Sequence, residues 1–226
     1  MDTLILPQIR LQKIIKTFLE WIREDFRINE EEDTYLFKLF GVGTTIGNYD
    51  YYHQGKHIFT QDVNELEGID VKLFFDAKRS AIPTIHVTLP SENPGADGIG
   101  VDEGYQDSDY NDARGEYVPI MTRRYDTQYN LIITSQNPLE ALLIYEVLRA
   151  GLISMQQSIQ VSWGLSEMKL SGQDLTINQE QVPAHIFLRM LGVGISYEVK
   201  VPQLIPATII RDIVFKEKII LDNGIN

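Results

Sequence analysis

The 226-residue sequence predicts an α+β protein: a mainly antiparallel (mixed) sheet carrying an N-terminal amphipathic helix and a central helix, plus a long acidic loop or arm. Three observations predict it. A helical stripe opens the chain, several segments alternate apolar and polar residues with the period of a half-buried strand, and one well-capped apolar run has helical length. Strands outnumber the helices available as crossovers, which favours antiparallel pairing over a doubly wound sheet. The length suits one domain over 1–226, with 90–118 as a flexible acidic insertion.

In chain order, Leu11, Ile14, Ile15, Phe18, Leu19, Ile22 and Phe26 recur at the spacing of one helical face, with Arg10, Lys13, Lys16, Glu20, Arg23 and Glu24 between them. Pro7 suits a first turn, and Asn29 followed by four acids reads as the stop. Trp21 lies off the stripe and reads equally as a second packing contact or an interface anchor. The segment TYLFKLF (34–40) reads as a short strand, and GVGTTIGNYDYYHQGKH (41–57) as a hairpin tip or long loop. Strands follow at Ile69–Phe75 and, after Pro83, at Ile85–Leu89.

From Pro90 to Val118 periodicity disappears. Eight acids (Glu92, Asp97, Asp102, Glu103, Asp107, Asp109, Asp112 and Glu116) face Arg114 alone, so this stretch carries −7 of the chain's net charge of −12. A loop longer than about 12–15 residues in a compact domain is commonly an arm or a functional segment. The strand Tyr129–Ile133 then runs into Asn137, an N-cap, with Pro138 at the first helical position and Glu140 placed to complete a capping box. The helix from Pro138 to about Ser154 is apolar nearly all round, so it is either central in its domain or covered by a neighbouring subunit. A strand at Ile159–Trp163, a further short strand, a Ser171–Asp174 turn and an amphipathic strand at Ile195–Val201 complete the pattern. The tail IIRDIVFKEKIIL reads as a last strand or an extended end.

Composition narrows the functions. There is no cysteine, which excludes disulfides, thiol catalysis and thiolate-bound metals, and four histidines remain. A formal charge of −12 disfavours nucleic-acid binding as a main role. No apolar run approaches the ~18 residues of a membrane span, and the opening residues lack the order of a secretory signal.

Candidate chemistry was weighed against simpler readings. Gly41, Gly43 and Gly47 miss the dinucleotide spacing by one residue and read as loop glycines. His53 and His57 have metal-ligand spacing for a helix, but Gly55 between them reads as loop. His86 and His185 read as structural strand residues. Asp107, Asp109 and Asn111 resemble the opening of a calcium loop, yet Asp112 and Val118 occupy its two decisive positions. Among 32 acidic residues chance pairs are unavoidable, and none stands in a hydrolase frame. The expectation is therefore no enzyme, with no catalytic, cofactor-binding or metal-ligating residues.

The order YNLIITSQN, the capped helix PLEALLIYEVLRAGLISM, a Ser-Gly-Gln-Asp turn and IFLRMLGVGISYEVKVPQL, with the amphipathic helix at 7–28, resembles the tail-terminator and neck (head–tail connector) proteins of tailed bacteriophages. That resemblance covers about half the chain, and the acidic arm departs from it. It implies a virion structural protein, assembled in the host cytoplasm as a ring homo-oligomer, commonly a hexamer. Its partners would be further copies of itself and the neighbouring tail tube, sheath or neck proteins. It implies neither sequence-specific nucleic-acid binding nor membrane association, although DNA would pass through the ring. A non-enzymatic adaptor that binds other proteins is the second reading, and a carboxylate-based hydrolase the third.

Overall fold

A computed structural model describes residues 6–41, 43–61, 68–74, 83–95, 105–111, 116–174 and 186–202. The expected α+β architecture is present. Six strands form one mixed sheet: β3 (Asp70–Lys72), β4 (Thr84–Pro94), β5 (Tyr105–Asn111), β6 (Glu116–Ser135), β7 (Glu167–Asp174) and β8 (Phe187–Pro202). The main path runs β3-β4-β6-β8-β7, with β3 parallel to β4 and the other pairs antiparallel.

Strand β6 is the spine. It pairs with β8 from Ile120↔Pro202 to Ser135↔Phe187 on one side. Its other side is shared, with β4 along Tyr125–Thr134 and β5 along Glu116–Thr122. Facing residues make the core in rows, such as Ile85–Ile133 and Val87–Leu131–Leu191. The period-two pattern predicts this because alternate residues share a face. Between Thr88 and Ser91 strand β4 carries a bulge, gaining one residue on β6. Its parity reverses there, so Ile85 and Val87 point to the helix-covered face before the bulge and Glu92 after it.

Two helices lie on that face. Helix α1 (Pro7–Ile28) buries Leu11, Ile15, Phe18, Leu19 and Ile22, as its stripe requires, and leaves the helical path at Asn29. Gln8 Nε2 donates to the carbonyls of Leu73 and Val87, and Gln12 Nε2 to that of Val71, each at 2.8 Å. These bonds fix α1 to the β3–β4 side of the sheet. Helix α4 (Pro138–Trp163) crosses β6, β8 and β7. Asn137 caps it, its Oδ1 accepting from Leu139 N–H at 2.9 Å. The Asn137 N–H, the donor a capping box uses, is bonded to Ser135 Oγ.

Several sequence expectations are corrected. TYLFKLF is helix α2 (Tyr35–Phe40), begun by Thr34, whose Oγ1 accepts from Phe37 N–H. Residues 45–50 do form a small hairpin, β1 (Thr45–Ile46) with β2 (Tyr49–Asp50), but helix α3 (Tyr51–Thr60) then begins at the Asp50 cap, within the stretch expected to be hairpin tip or long loop. The apolar residues Ile159 and Trp163 belong to α4, which continues past Ser154 to an αL cap at Gly164. Ser171–Asp174 is not a turn but the second half of β7. The 90–118 segment is not patternless throughout, since β4 reaches Pro94, β5 occupies Tyr105–Asn111 and β6 starts at Glu116. The expected tail strand, Phe75 and His185 lie outside the described residues.

Much of the apolar perimeter of α4 is covered within the chain. Leu143, Ile144, Val147, Leu148 and Leu152 are in the core, Leu143 lies beside Gly55 of α3, and Gly151 lies against Phe18 of α1. These residues make the helix central in its domain, while Ile153 and Val161 on the same helix are exposed.

The sheet outruns the helices. Ser166 N–H bonds Ser196 O just beyond the end of α4, in the row Asp126–Ser196–Glu167. Past that row β6 continues through 116–125 with β5, the last residues of β4 and the end of β8. At ~3.3 Å per residue this makes an arm roughly 30 Å long beyond the helical layer.

Candidate functional site

Where α1 meets the second half of α4, the helices part to leave an elongated groove of about 630 Å³. The floor is set by Gly151. A Cβ there would lie 2.2 Å from Phe18 Cζ, so glycine lets the Phe18 ring sit on the α4 backbone. Ile14 and Met155 line the walls beside it. The same absence of a side chain that brings the two helices together at this point leaves the space above Phe18 open.

One end is aromatic. Phe18 and Trp21 stack with ring centroids 6.1 Å apart, and Tyr35 stands edge-on to both, at 5.9 and 5.4 Å. Trp21 is 48% exposed, so the off-stripe tryptophan packs at its base and presents a free face. Trp163, on the last turn of α4, lines the groove from the other helix, so both tryptophans of the chain border it. Burial raises the pKa of Tyr35 above the ordinary tyrosine value, and the nearby Ser154 hydroxyl partly offsets this. The two hydroxyls approach without reaching hydrogen-bond geometry.

Charge is distributed unevenly. Arg10 and Lys13 of α1 line the groove, and among the described residues no acidic side chain does. Across the Trp21–Tyr35 wall lies a smaller hollow containing Asp25, Asp33 and Lys38. Asp25 is already engaged there, accepting from Tyr35 N–H at 2.6 Å and Asn29 Nδ2 at 2.8 Å. This bond ties the start of α2 to α1 and holds Tyr35 at the groove.

On the opposite face of the sheet, Ser91, Asn93, Gln128, Lys169 and Ser196 border a shallow polar cup of about 300 Å³. Gly194 lies in its floor, and its two acids are committed: Glu167 pairs with Lys169 at 2.8 Å, and Asp126 accepts from Ser196 Oγ at 2.5 Å. On the helix-covered face, Tyr197 Oη donates to Glu92 at 2.8 Å. Burial pushes the Tyr197 hydroxyl up to about 12, and that of Tyr129 higher still.

The residues weighed for chemistry fall in separate places. His53 and His57 do lie on a helix, α3, where both are exposed and His57 is within 3.3 Å of Gln61. Among the described residues no three of His, Asp and Glu converge as a metal group. Gly41 ends α2 and Gly47 turns the β1–β2 hairpin, both at positive φ, so these are structural loop glycines. Asp107, Asp109 and Asn111 lie on the extended backbone of β5, which gives no calcium-loop turn. His86 is fully buried in β4, with Nδ1 2.9 Å from Phe74 O. Trp21 stands out in the sequence, but the groove beside it does not. Its available signal was Gly151, a glycine inside an otherwise uninterrupted apolar helix, which marks close backbone approach.

No protein-family model matches the sequence, and no curated protein matches it.

Proposed function

We propose that the chain is a non-enzymatic assembly subunit, specifically a ring-forming virion structural protein of a tailed phage, joining the tail terminus to the neck. The observation that supports this reading is the arm. A sheet that extends about 30 Å past its helical cover presents edge backbone there, an arrangement suited to contact with neighbouring subunits rather than to enclosing a substrate. A head-to-tail contact made by such an arm closes into a ring when the rotation between copies allows it. The charge of −12 would keep DNA from adhering to the channel of that ring.

The test exploits the arm's geometry. Gly95 N–H already bonds Arg124 O at 2.8 Å, so residues 96–123 can be replaced by an Asn-Gly turn across adjacent strands. The wild-type protein is expected to form a species of one discrete multiple mass, seen as closed rings by electron microscopy. The shortened protein should be a folded monomer with a cooperative thermal transition. A wild-type protein that stays monomeric at every concentration and beside candidate tail or neck components refutes the ring. The groove favours a second reading, an adaptor that holds one segment of a partner, and a monomer that binds such a segment would establish it.

A further inference from the structure

We propose that the α1–α4 groove is the receiving half of a subunit contact, and that it takes the acidic β5–β6 hairpin of a second copy. This rests on the assembly reading and deepens it by naming both surfaces.

In a chain of net charge −12, the groove is lined by Arg10 and Lys13 and, among the described residues, by no acid. Residues 102–112 carry Asp102, Glu103, Asp107, Asp109 and Asp112 with no base, and they include all of β5. Opposite potentials on two surfaces of one chain favour head-to-tail pairing and disfavour pairing either surface with itself. Tyr105 and Tyr110 are interspersed among the acids in that segment, and the groove offers Phe18, Trp21, Tyr35 and Trp163. Aromatic residues beside exposed aromatic faces are the usual anchors of such contacts.

The hairpin sits on a sheet that continues past the end of α4, so it projects beyond the helical layer that holds the groove. About 30 Å of projection spans the distance to an adjacent subunit of this size. A surface of one kind meeting a different surface on the next copy propagates around a ring, with one groove and one hairpin left over in any open chain.

Both tryptophans border the groove, so intrinsic fluorescence reports on its occupancy. A peptide of residues 102–116 is titrated into full-length Arg10→Glu/Lys13→Glu and wild-type protein, and the assembly state of each is measured by sedimentation velocity. The expected result is a saturable tryptophan change in wild type, weakened about tenfold or more by the double reversal and by raising salt from low to about 0.5 M. Assembly should fail for R10E/K13E, fail for Asp107→Lys/Asp109→Lys, and recover when the two variants are mixed or combined. Helix content and thermal midpoint, checked by circular dichroism, confirm that each variant folds; Lys13→Glu alone, at an exposed position, replaces the double variant if it does not.

Rings that form unchanged in both reversal variants, with no peptide signal, overturn this contact while leaving the ring itself standing. A wild-type protein that never self-associates and ignores the peptide overturns both. A monomer whose fluorescence shifts on R10E/K13E without any peptide assigns the groove to a segment of its own chain, and this too refutes the contact between copies.

Discussion

Replacing Gly151 by alanine pits two effects of known sign against each other. In an unpacked helix interior the change stabilises by about 0.8–1 kcal/mol, because alanine restricts the unfolded chain and favours the helix. Here the new methyl would stand 2.2, 2.5 and 2.8 Å from three atoms of the Phe18 ring, all far inside van der Waals contact. Phe18 is 6% exposed and held between Trp21 and Tyr35, so the ring can retreat only by disturbing those contacts or by moving α1. Overpacking of this kind costs typically 1–3 kcal/mol, and the severity of the overlap argues for the upper end. Subtracting the propensity gain leaves a net loss of about 1–2 kcal/mol. For a chain of this size that lowers the thermal midpoint by roughly 2–8 °C. Calorimetry on G151A and on G151A/F18L provides the assay. The second change removes the obstructing ring edge, so the pair should be less destabilised than the sum of the single variants. A rise in midpoint for G151A alone would mean that Phe18 does not lie on α4, and the groove as described would not exist.

Three further outcomes follow from the same structure. Leu148→Ala, at a site 1% exposed, should cost about 2–5 kcal/mol in chemical denaturation, and a loss below 1 kcal/mol would contradict the central position of α4. Asn137→Ala should cost about 1 kcal/mol by removing the acceptor for Leu139 N–H, and Asn137→Asp should recover most of it. The hydroxyl of Tyr197 is raised by burial from 10.0 to about 12, so its neutral form is favoured in the folded state. Its contribution is complete below pH 10 and is lost as the pH rises through about 12, a loss on the order of 2 kcal/mol. Alkaline unfolding of Tyr197→Phe should lack that part of the slope, and an unchanged slope would show that the hydroxyl is not buried.

The elements legible in the sequence were those with a wide apolar face to cover. α1 and the β6 and β8 cores announce themselves because the sheet and helices select every third or second residue. What was missed had competing signals. Tyr51, Tyr52, Gly55, Ile58 and Phe59 form a helical stripe, but Gly55 reads as a breaker when its role is to admit Leu36, whose Cδ2 would be 2.6 Å from a Cβ. Gly172 reads as a turn for the same reason. In β7 it leaves room for Tyr145, whose hydroxyl would be 1.8 Å from a Cβ. Ile159, Val161 and Trp163 alternate by accident at the end of a helix whose stop signal is Gly164, one residue further on. The arm strands are hidden for a different reason. After the bulge β4 nears the end of the helical layer, and Ser91, Glu92 and Asn93 carry no apolar period-two pattern although they pair in register with β6. The groove was invisible because it joins residues from α1, α2 and α4, and sequence spacing carries no information about which helices converge.

The bulge in β4 governs which changes of length the chain can absorb. One residue at Leu89–Pro90 resets the phase of the strand, so everything from Ser91 onward is placed by counting from that point. Removing one residue there would take out the extra residue, leaving two steps from Thr88 to Ser91 against two from Asn130 to Gln128, so Ser91, Glu92 and Asn93 would keep their partners and faces. Removing two would instead turn Ser91 and Asn93 toward the helix-covered face and send Glu92 to the other, separating it from Tyr197. Loss of one residue between Thr88 and Ser91 should therefore be tolerated and loss of two should not, a rule that a library of length variants would display directly.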